Sequence, residues 1–351
     1  MKTIPILLWA LLLAGFANAM EKQYKVASLG FYNFENLFDT LDAPDTRDEE
    51  FTPTGSNRYT STVYKEKLNH LASVVAELGT DLTPDGVAIL GVAEIENRLV
   101  LEDFVKQPQI VSRNYGIIHY DSPDFRGIDV ALLYQPKYFT PTHSKAFPLK
   151  IFNDDGSERF TRDILLVSGI FDGDSLHIMV NHWPSRRGGE SATQPYRNAG
   201  ARLCKEIADS IMVSDPYAKI IIMGDLNDDP SSPSVRKILE AQRTTDKVKK
   251  KGFYNPMYEF FKRGIGSNAY RDAWSLFDQI IVSQGLISKK ATGYRFHKAV
   301  VHNKNYLIQK TGRFKGYPYR SYSFGNYIGG YSDHLPVYVY LLKPIFRGIE
   351  N

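Results

Sequence analysis

Two short segments of this chain combine residue types that can do chemistry. Ser332-Asp333-His334-Leu335 and, well upstream, Gly224-Asp225-Leu226-Asn227 each set a carboxylate beside a second polar group at the edge of an apolar run. That pairing suits a site shared by a divalent cation and a phosphate group, because hard oxygens hold the ion while its remaining positions take phosphate oxygens. Asp225 and Asn227 are two residues apart and share a face on extended backbone. The carboxylate can take a proton from water and the amide can donate to a phosphate oxygen. An Asx turn is the plainer account of the same spacing, and it suits Asp228-Asp229-Pro230 best.

Other candidates have the same character. Glu94 ends the apolar run Val87–Ala93, where a buried carboxylate must meet a cation, an arginine or a cluster of donors. Glu96 lies close enough to compete for that role. His182 opens the loop Asn181-His182-Trp183-Pro184-Ser185-Arg186-Arg187-Gly188-Gly189, whose arginines suit an anionic substrate or simply a solvated surface. Adjacent strand residues point oppositely, so Asp333 and His334 are poor partners for each other. Asp278, at the start of another apolar run, is the better acid for His334. A carboxylate bonded to imidazole fixes its tautomer and favours the charged form.

These residues need strands to present them. Apolar runs predict strands over residues 25–32, 86–93, 128–134, 163–171, 175–181, 218–224, 278–283 and 335–342. Helical spacing predicts helices over 60–78 and 197–213, with shorter ones near 98–106 and 233–241. The alternation gives an α/β fold, with polar groups at successive strand ends converging on one sheet edge.

Before the first strand, Lys2, the apolar run Ile4–Phe16 and Ala17-Asn18-Ala19 form the pattern of a secretory signal peptide over residues 1–19, leaving 20–351 as one domain. The run is shorter than the roughly 20 residues that span a bilayer, so no stable membrane insertion is expected. The protein is expected to be exported, periplasmic or extracellular. The formal charge of +4 falls to +3 when Lys2 is removed, too small a bias to argue for nucleic acid by itself. Cys204 is the single cysteine, so no intramolecular disulfide can form, and its helical setting reads as a small apolar packing residue.

With those motifs in place, the chain resembles the endonuclease/exonuclease/phosphatase superfamily, the deoxyribonuclease I-like metal-dependent phosphoesterases. The matching segments run in family order: Phe31–Asp39, the strand ending at Glu94, Arg126–Ala131, Asn181–Pro184, Gly224–Asn227, Phe277–Ile280 and Ser332–His334. The form of Asn33–Asp39 and of the Asn181–Gly189 loop is most similar to an exported bacterial branch. The resemblance implies a four-layer α/β sandwich, two packed mixed sheets flanked by helices. It implies Glu94 as main metal ligand, with Asn33 and Asp333 positioning metal or phosphate. Asp225 would activate water, Asn227 would bind phosphate, and His334 with Asp278 would stabilise the transition state. His182 would contact the phosphate or assist the leaving group. Arg126, Arg186 and Arg187 are candidate phosphate contacts, while Glu35 and Glu96 have no fixed family role and are expected to support the site from behind. The implied ion is Mg²⁺, with Mn²⁺ or Ca²⁺ as substitutes.

The expected substrate is nucleic acid or another phosphate ester, and no protein partner is indicated. A nuclease would show a basic track, for which Arg162, Arg197 and Lys247-Lys249-Lys250-Lys251 are further candidates. A lipid phosphodiesterase would use an aromatic rim, for which Tyr317, Tyr319, Tyr322, Phe324 and Tyr327 are available. A phosphatase is the third enzymatic reading, and a non-catalytic binding protein on the same fold is the fourth. Retention of Glu94, Asp225, Asp278, Asp333 and His334 speaks for turnover.

Overall fold

The computed structural model describes residues 23–44 and 46–345, so the signal-peptide reading lies outside the described residues. Twelve strands form two six-stranded sheets. In chain order they are β1 (Gln23–Leu37), β2 (Val87–Ile95), β3 (Gly116–His119), β4 (Asp129–Tyr134), β5 (Phe139–Phe147) and β6 (Ile164–Phe171). Then come β7 (Asp174–His182), β8 (Ile220–Asp225), β9 (Phe253–Tyr254), β10 (Asp278–Ser283), β11 (Arg295–Val301) and β12 (Val337–Ile345). The first sheet runs β11-β12-β1-β2-β4-β3 and the second β9-β10-β8-β7-β6-β5.

Each sheet is mixed, with one parallel pair at its centre. β1 pairs parallel with β2, and β7 parallel with β8. The neighbours β12, β4, β10 and β6 are antiparallel to these pairs. The carboxyl ends of β1 and β2 therefore lie beside the chain entering β12 and β4, and those of β7 and β8 beside the start of β10. That edge collects Asn33, Glu94, His182, Asp225, Asp278 and His334.

Side-chain alternation sorts the second sheet into two apolar faces. Val167, Ile178, Val180, Ile221, Met223, Ile280 and Val282 pack toward the first sheet in one core. Leu166, Met179, Ile220, Ile222 and Ile281 point the other way, against Cys204, Ile207, Ala208 and Met212 of α3 (Glu190–Ser214). On the outer side of the first sheet lie α1 (Ser61–Glu77) and α2 (Arg98–Val105), whose Leu68, Leu71, Val74, Val75, Leu101 and Phe104 belong to the same continuous apolar cluster. Helix, sheet, sheet and helix make four layers. Thr60 caps α1 by accepting from Val63 N, and Asn97 caps α2 by accepting from Val100 N at 3.1 Å.

The eight strands expected from sequence are present, and α3 starts seven residues earlier than expected, running through Pro195. The expected helix over 233–241 is a single wide π-helical turn, Ser234–Ile238. A short helix α4 (Met257–Lys262) was not expected. Among the described residues no helix is long and apolar enough to cross a membrane.

Candidate active site

Strand irregularity aims the first two site residues. The β1–β2 register shifts between Asn33 and Leu37, where Glu35 (φ 48°) and Asn36 (φ 53°) take left-handed backbone. The β2–β4 register shifts between Ala93 and Ile95, around Glu94 at φ 58°. Bulges of this kind re-aim a side chain at a sheet end. Glu94 Oε2 accepts from Asn36 N at 3.0 Å, so one bulge receives the other. In the second sheet, Gly224 brings β8 so close to β7 that a Cβ would sit 2.2 Å from the Asn181 carbonyl oxygen. Only glycine fits there, and Asp225 follows directly.

Asp225 is the hub. Its Oδ2 accepts from Asn33 Nδ2 at 3.2 Å and its Oδ1 from Asn227 N at 2.9 Å. The Nε2 atoms of His182 and His334 stand 3.6 and 3.8 Å from Oδ2, beyond hydrogen-bond range, so neither is committed to it. Burial pushes the Asp225 carboxyl up to about 7, the His334 charge opposing and Asp278 adding to the rise. Asn227, in left-handed backbone, donates through Nδ2 to Trp183 O at 2.9 Å. Of the two protons on that amide nitrogen, one remains for a ligand.

The two histidines differ. His334 Nδ1 lies 2.6 Å from Asp278 Oδ2, which also accepts from Ser267 Oγ. Burial works to lower the His334 pKa, but Asp278 and Asp225 outweigh it and hold the imidazole well above its ordinary value, in the charged form. His182 goes the other way. Burial, then Arg162, Arg126 and His334, push it well below the ordinary value and keep it neutral. Its Nε2 lies 3.8 Å from Glu94 Oε1, and its buried Nδ1 has no hydrogen-bond partner among the described residues.

Ser332 ties the last motif to β1, donating from Oγ to Asn33 O at 2.7 Å and accepting from His334 N at 3.1 Å. Asp333 is half-buried, and its carbonyl accepts from Asn268 Nδ2 at 3.0 Å. Behind it, Glu35 accepts from Ser321 N at 2.6 Å and from Tyr322 N at 3.4 Å, fixing the segment that leads to the site. Burial, reinforced by Asp333 and opposed by Lys67, pushes Glu35 up to about 7. Glu96 points away and accepts from Asp39 N at 2.6 Å, so it shapes the Asn36–Asp39 turn.

Five carboxyl groups, Glu35, Glu94, Asp225, Asp278 and Asp333, thus interact across one sheet edge, with Lys67, His334, Arg162 and Arg320 among the cations that face them. Burial is the main cause of the raised Asp225 and Glu35 carboxyls and the neighbouring carboxylates add to it, and a hard divalent cation fits such a cluster. Asp225, Asp278 and His334 bring ligand atoms within 4.8 Å of one another. They are a poor cage, because His334 is held in its charged form, which has no lone pair to give a metal, and Asp278 Oδ2 is engaged with that imidazole.

The arginines divide. Arg162 is buried in an ion pair with Asp124 at 2.9 Å and donates to the carbonyls of His182 and Trp183. Arg197 is buried against Asp228 at 2.7 Å. Both are structural ties, which corrects their reading as part of an exposed basic track. Arg186 bonds Asn227 O and pairs with Asp228 and Asp229, organising the loop. Arg187 is exposed, and Arg126 is half-buried beside Asp124 at 3.6 Å. Sequence reasoning missed Lys67, Ser267 and Asp228. Lys67 falls in a helical pattern that marks apolar neighbours and carries no sign that one lysine faces inward.

The endonuclease/exonuclease/phosphatase family model matches residues 28–343. No curated protein sequence matches the chain. Among solved structures, an endonuclease/exonuclease/phosphatase family protein from Bacteroides thetaiotaomicron is 16% identical, covering 94% of this chain and 98% of that one with TM-score 0.53. D. rerio TDP2 complexed with single-strand DNA product is 14% identical, covering 90% and 98% with TM-score 0.53. A mannosyl-6-phosphatase from Bacteroides thetaiotaomicron is 16% identical, covering 91% and 100% with TM-score 0.51. At these identities the likeness establishes the fold, and the match of the family model over nearly all of the described residues establishes the kinship. The chain belongs to the endonuclease/exonuclease/phosphatase family.

Proposed function

We propose that this protein is a divalent-metal-dependent hydrolase of phosphodiester bonds, acting on nucleic acid. The observation that carries the reading is the pair of histidines on either side of Asp225, one held charged by Asp278 and the other kept neutral by burial. Environments that push like groups apart divide acid and base roles. Charged His334 would stabilise negative charge developing on the phosphate, and neutral His182 would bind a phosphate oxygen or attend the leaving group. Asp225, with its carboxyl raised to about 7, suits a general base that accepts a proton from water near neutral pH. The remaining Asn227 amide proton would hold the phosphate in line. Glu94, Asn33 and Asp333 would hold Mg²⁺, which supplies charge neutralisation on the phosphate oxygens when bound.

The arginines beside the site support a substrate with several phosphates, such as nucleic acid, and a DNA product is held by one protein of this fold, TDP2. The leader read over residues 1–19 supports export to the periplasm or beyond. The test is nicking of supercoiled plasmid by the purified protein with Mg²⁺, with chelator, Glu94→Ala and His334→Ala as controls. Metal-dependent nicking lost in both variants is expected. In Glu94→Ala the rise in melting temperature on adding Mg²⁺ should vanish as well, since a ligand stabilises only the state that binds it. Full activity in either variant would remove that residue from its role.

A further inference from the structure

One cavity adjoins the site on the side of Asp333, and a second adjoins the first. The first, of 840 Å³, lies between the loop Ser185–Glu190 and the hairpin of Asn268–Tyr270 with Ala273–Ser275, and reaches Arg320 and Asp333. The other, of 590 Å³, continues from Tyr270 and Arg271 to Phe314 and Phe324. They share Ala269, Tyr270, Arg271 and Arg320, so they form one groove. Asn268 anchors it at the catalytic end, pairing with His334 through a β-bridge and donating to Asp333 O.

The groove is basic and aromatic in alternation. Its lining carries five arginines (Arg186, Arg187, Arg271, Arg313, Arg320) against three carboxylates, Glu190, Asp272 and Asp333. Asp272 is already bonded to the Tyr317 hydroxyl at 2.7 Å and Glu190 is paired with Arg186 at 3.2 Å. Arg271 lies over Tyr270 at 5.2 Å, Arg313 over Phe324 at 5.3 Å and Arg320 over Phe314 at 4.5 Å. Arg320 Nε is buried with no hydrogen-bond partner among the described residues.

Two of the aromatic rings are held out at a cost. Tyr270 is 68% and Phe324 72% exposed. Phe324 and Gly325 turn the hairpin of Tyr322–Ser323 with Asn326–Tyr327, and Phe324 has φ 50°. Arg271 (φ 48°) and Asp272 (φ 62°) turn the other hairpin. Two-residue turns of this kind favour Asn-Gly, and a bulky side chain in left-handed backbone is strained. Strain and exposure together at a groove lip point to use there. A lipid surface would call for a contiguous apolar rim, whereas here every exposed ring has a guanidinium beside it.

We propose that this groove binds unpaired nucleotides of a single-stranded nucleic acid, phosphates on Arg187, Arg271 and Arg320 and bases stacked on Tyr270 and Phe324. The assignment rests on the phosphodiesterase reading above and names the substrate's form. Bases in a duplex hide the π-faces that such rings would use, so the unpaired strand is the ligand that fits.

Fluorescence anisotropy with a labelled single-stranded oligonucleotide of about ten nucleotides, in chelator to prevent turnover, tests it on the full chain. Tyr270→Ala with Phe324→Ala should weaken binding by about ten-fold or more, and Tyr270→Phe with Phe324→Tyr should restore it. Arg271→Ala should reduce the slope of log affinity against log salt by about 0.7. With plasmid nicking intact, unchanged affinity in the double alanine variant overturns the groove assignment. So does a loss confined to vesicles of phosphatidylcholine and phosphatidylserine, which would make the face a lipid contact. Without metal-dependent cleavage of either the plasmid or the single-stranded oligonucleotide by the parent protein, a ten-fold loss of oligonucleotide affinity upholds the groove while the catalytic reading fails.

Discussion

His182 and His334 approach the same oxygen of Asp225, yet their surroundings leave one neutral and one charged. The difference rests on Asp278, which bonds His334 and not His182. In Asp278→Asn, burial would prevail and the His334 pKa would fall. The charged form is present below its folded-state pKa and is lost as pH rises through it. The basic limb of the kcat profile should therefore move to lower pH, and kcat near pH 8 should drop by about 10²–10⁴. The same substitution removes stability that is complete below the ordinary histidine value and lost as pH rises through the raised one, so its Tm penalty should be largest in acid. Steady-state kinetics and thermal melts from pH 5 to 9 check both limbs, and an unmoved basic limb would separate Asp278 from His334 function. This pairing was legible in the sequence, because neighbours on a strand face opposite ways and Asp278 begins another strand. The bulges at Glu35, Asn36 and Glu94 were not legible, since none places glycine where the backbone turns left-handed.

At the scale of elements, the strands that were legible share one property. All eight are interior to their sheets, and the four strands of the two large sheets that were missed, β3, β5, β9 and β11, are the four edges. Interior strands are covered on both faces and read as unbroken apolar runs such as Ile220–Met223. Edge strands are half-exposed and carry polar residues, as in Phe-Thr-Pro-Thr-His-Ser-Lys-Ala-Phe of β5. The start of α3 was hidden for another reason, since Gly188, Gly189 and Pro195 all signal a break. Once formed, α3 approaches the His182 loop through Gly200, where a Cβ would lie 2.8 Å from Trp183 Cδ1. Gly200→Ala gains about 1 kcal/mol of helix propensity but overpacks a site, which costs about 1–3 kcal/mol. The clash should win, because the indole is fully buried and held by its Nε1 bond to Asn181. Trp183 O anchors Asn227, so kcat should fall along with the denaturation midpoint. A variant as stable as the parent would show that the indole can move.

The whole molecule is joined where the sheets meet, and the catalytic edge straddles that joint. Asn33 and Glu94 come from the first sheet and His182, Asp225 and Asp278 from the second, while His334 enters on the segment before β12. Any change in sheet spacing shifts one half of the site against the other. Gly91 of β2 sits at a close approach of the two sheets: a Cβ there would meet Met223 Sδ at 2.7 Å, and Val180 Cγ1 and Phe31 Cδ2 at 3.2 Å. The thioether is the flexible neighbour, so Gly91→Ala should be tolerated by a shift of Met223. Gly91→Val has no such escape and should cost about 1–3 kcal/mol, a few degrees of Tm in a chain of this size. Side chains from both sheets share one apolar core, so heating should give one cooperative transition that moves as a unit in the valine variant. Calorimetry beside near-ultraviolet circular dichroism tests this. Two separated transitions, or a Tm loss without a loss of kcat, would mean that the sheets hold their halves of the site independently. The shared core and the Asn33–Asp225 bond across it argue for the single transition.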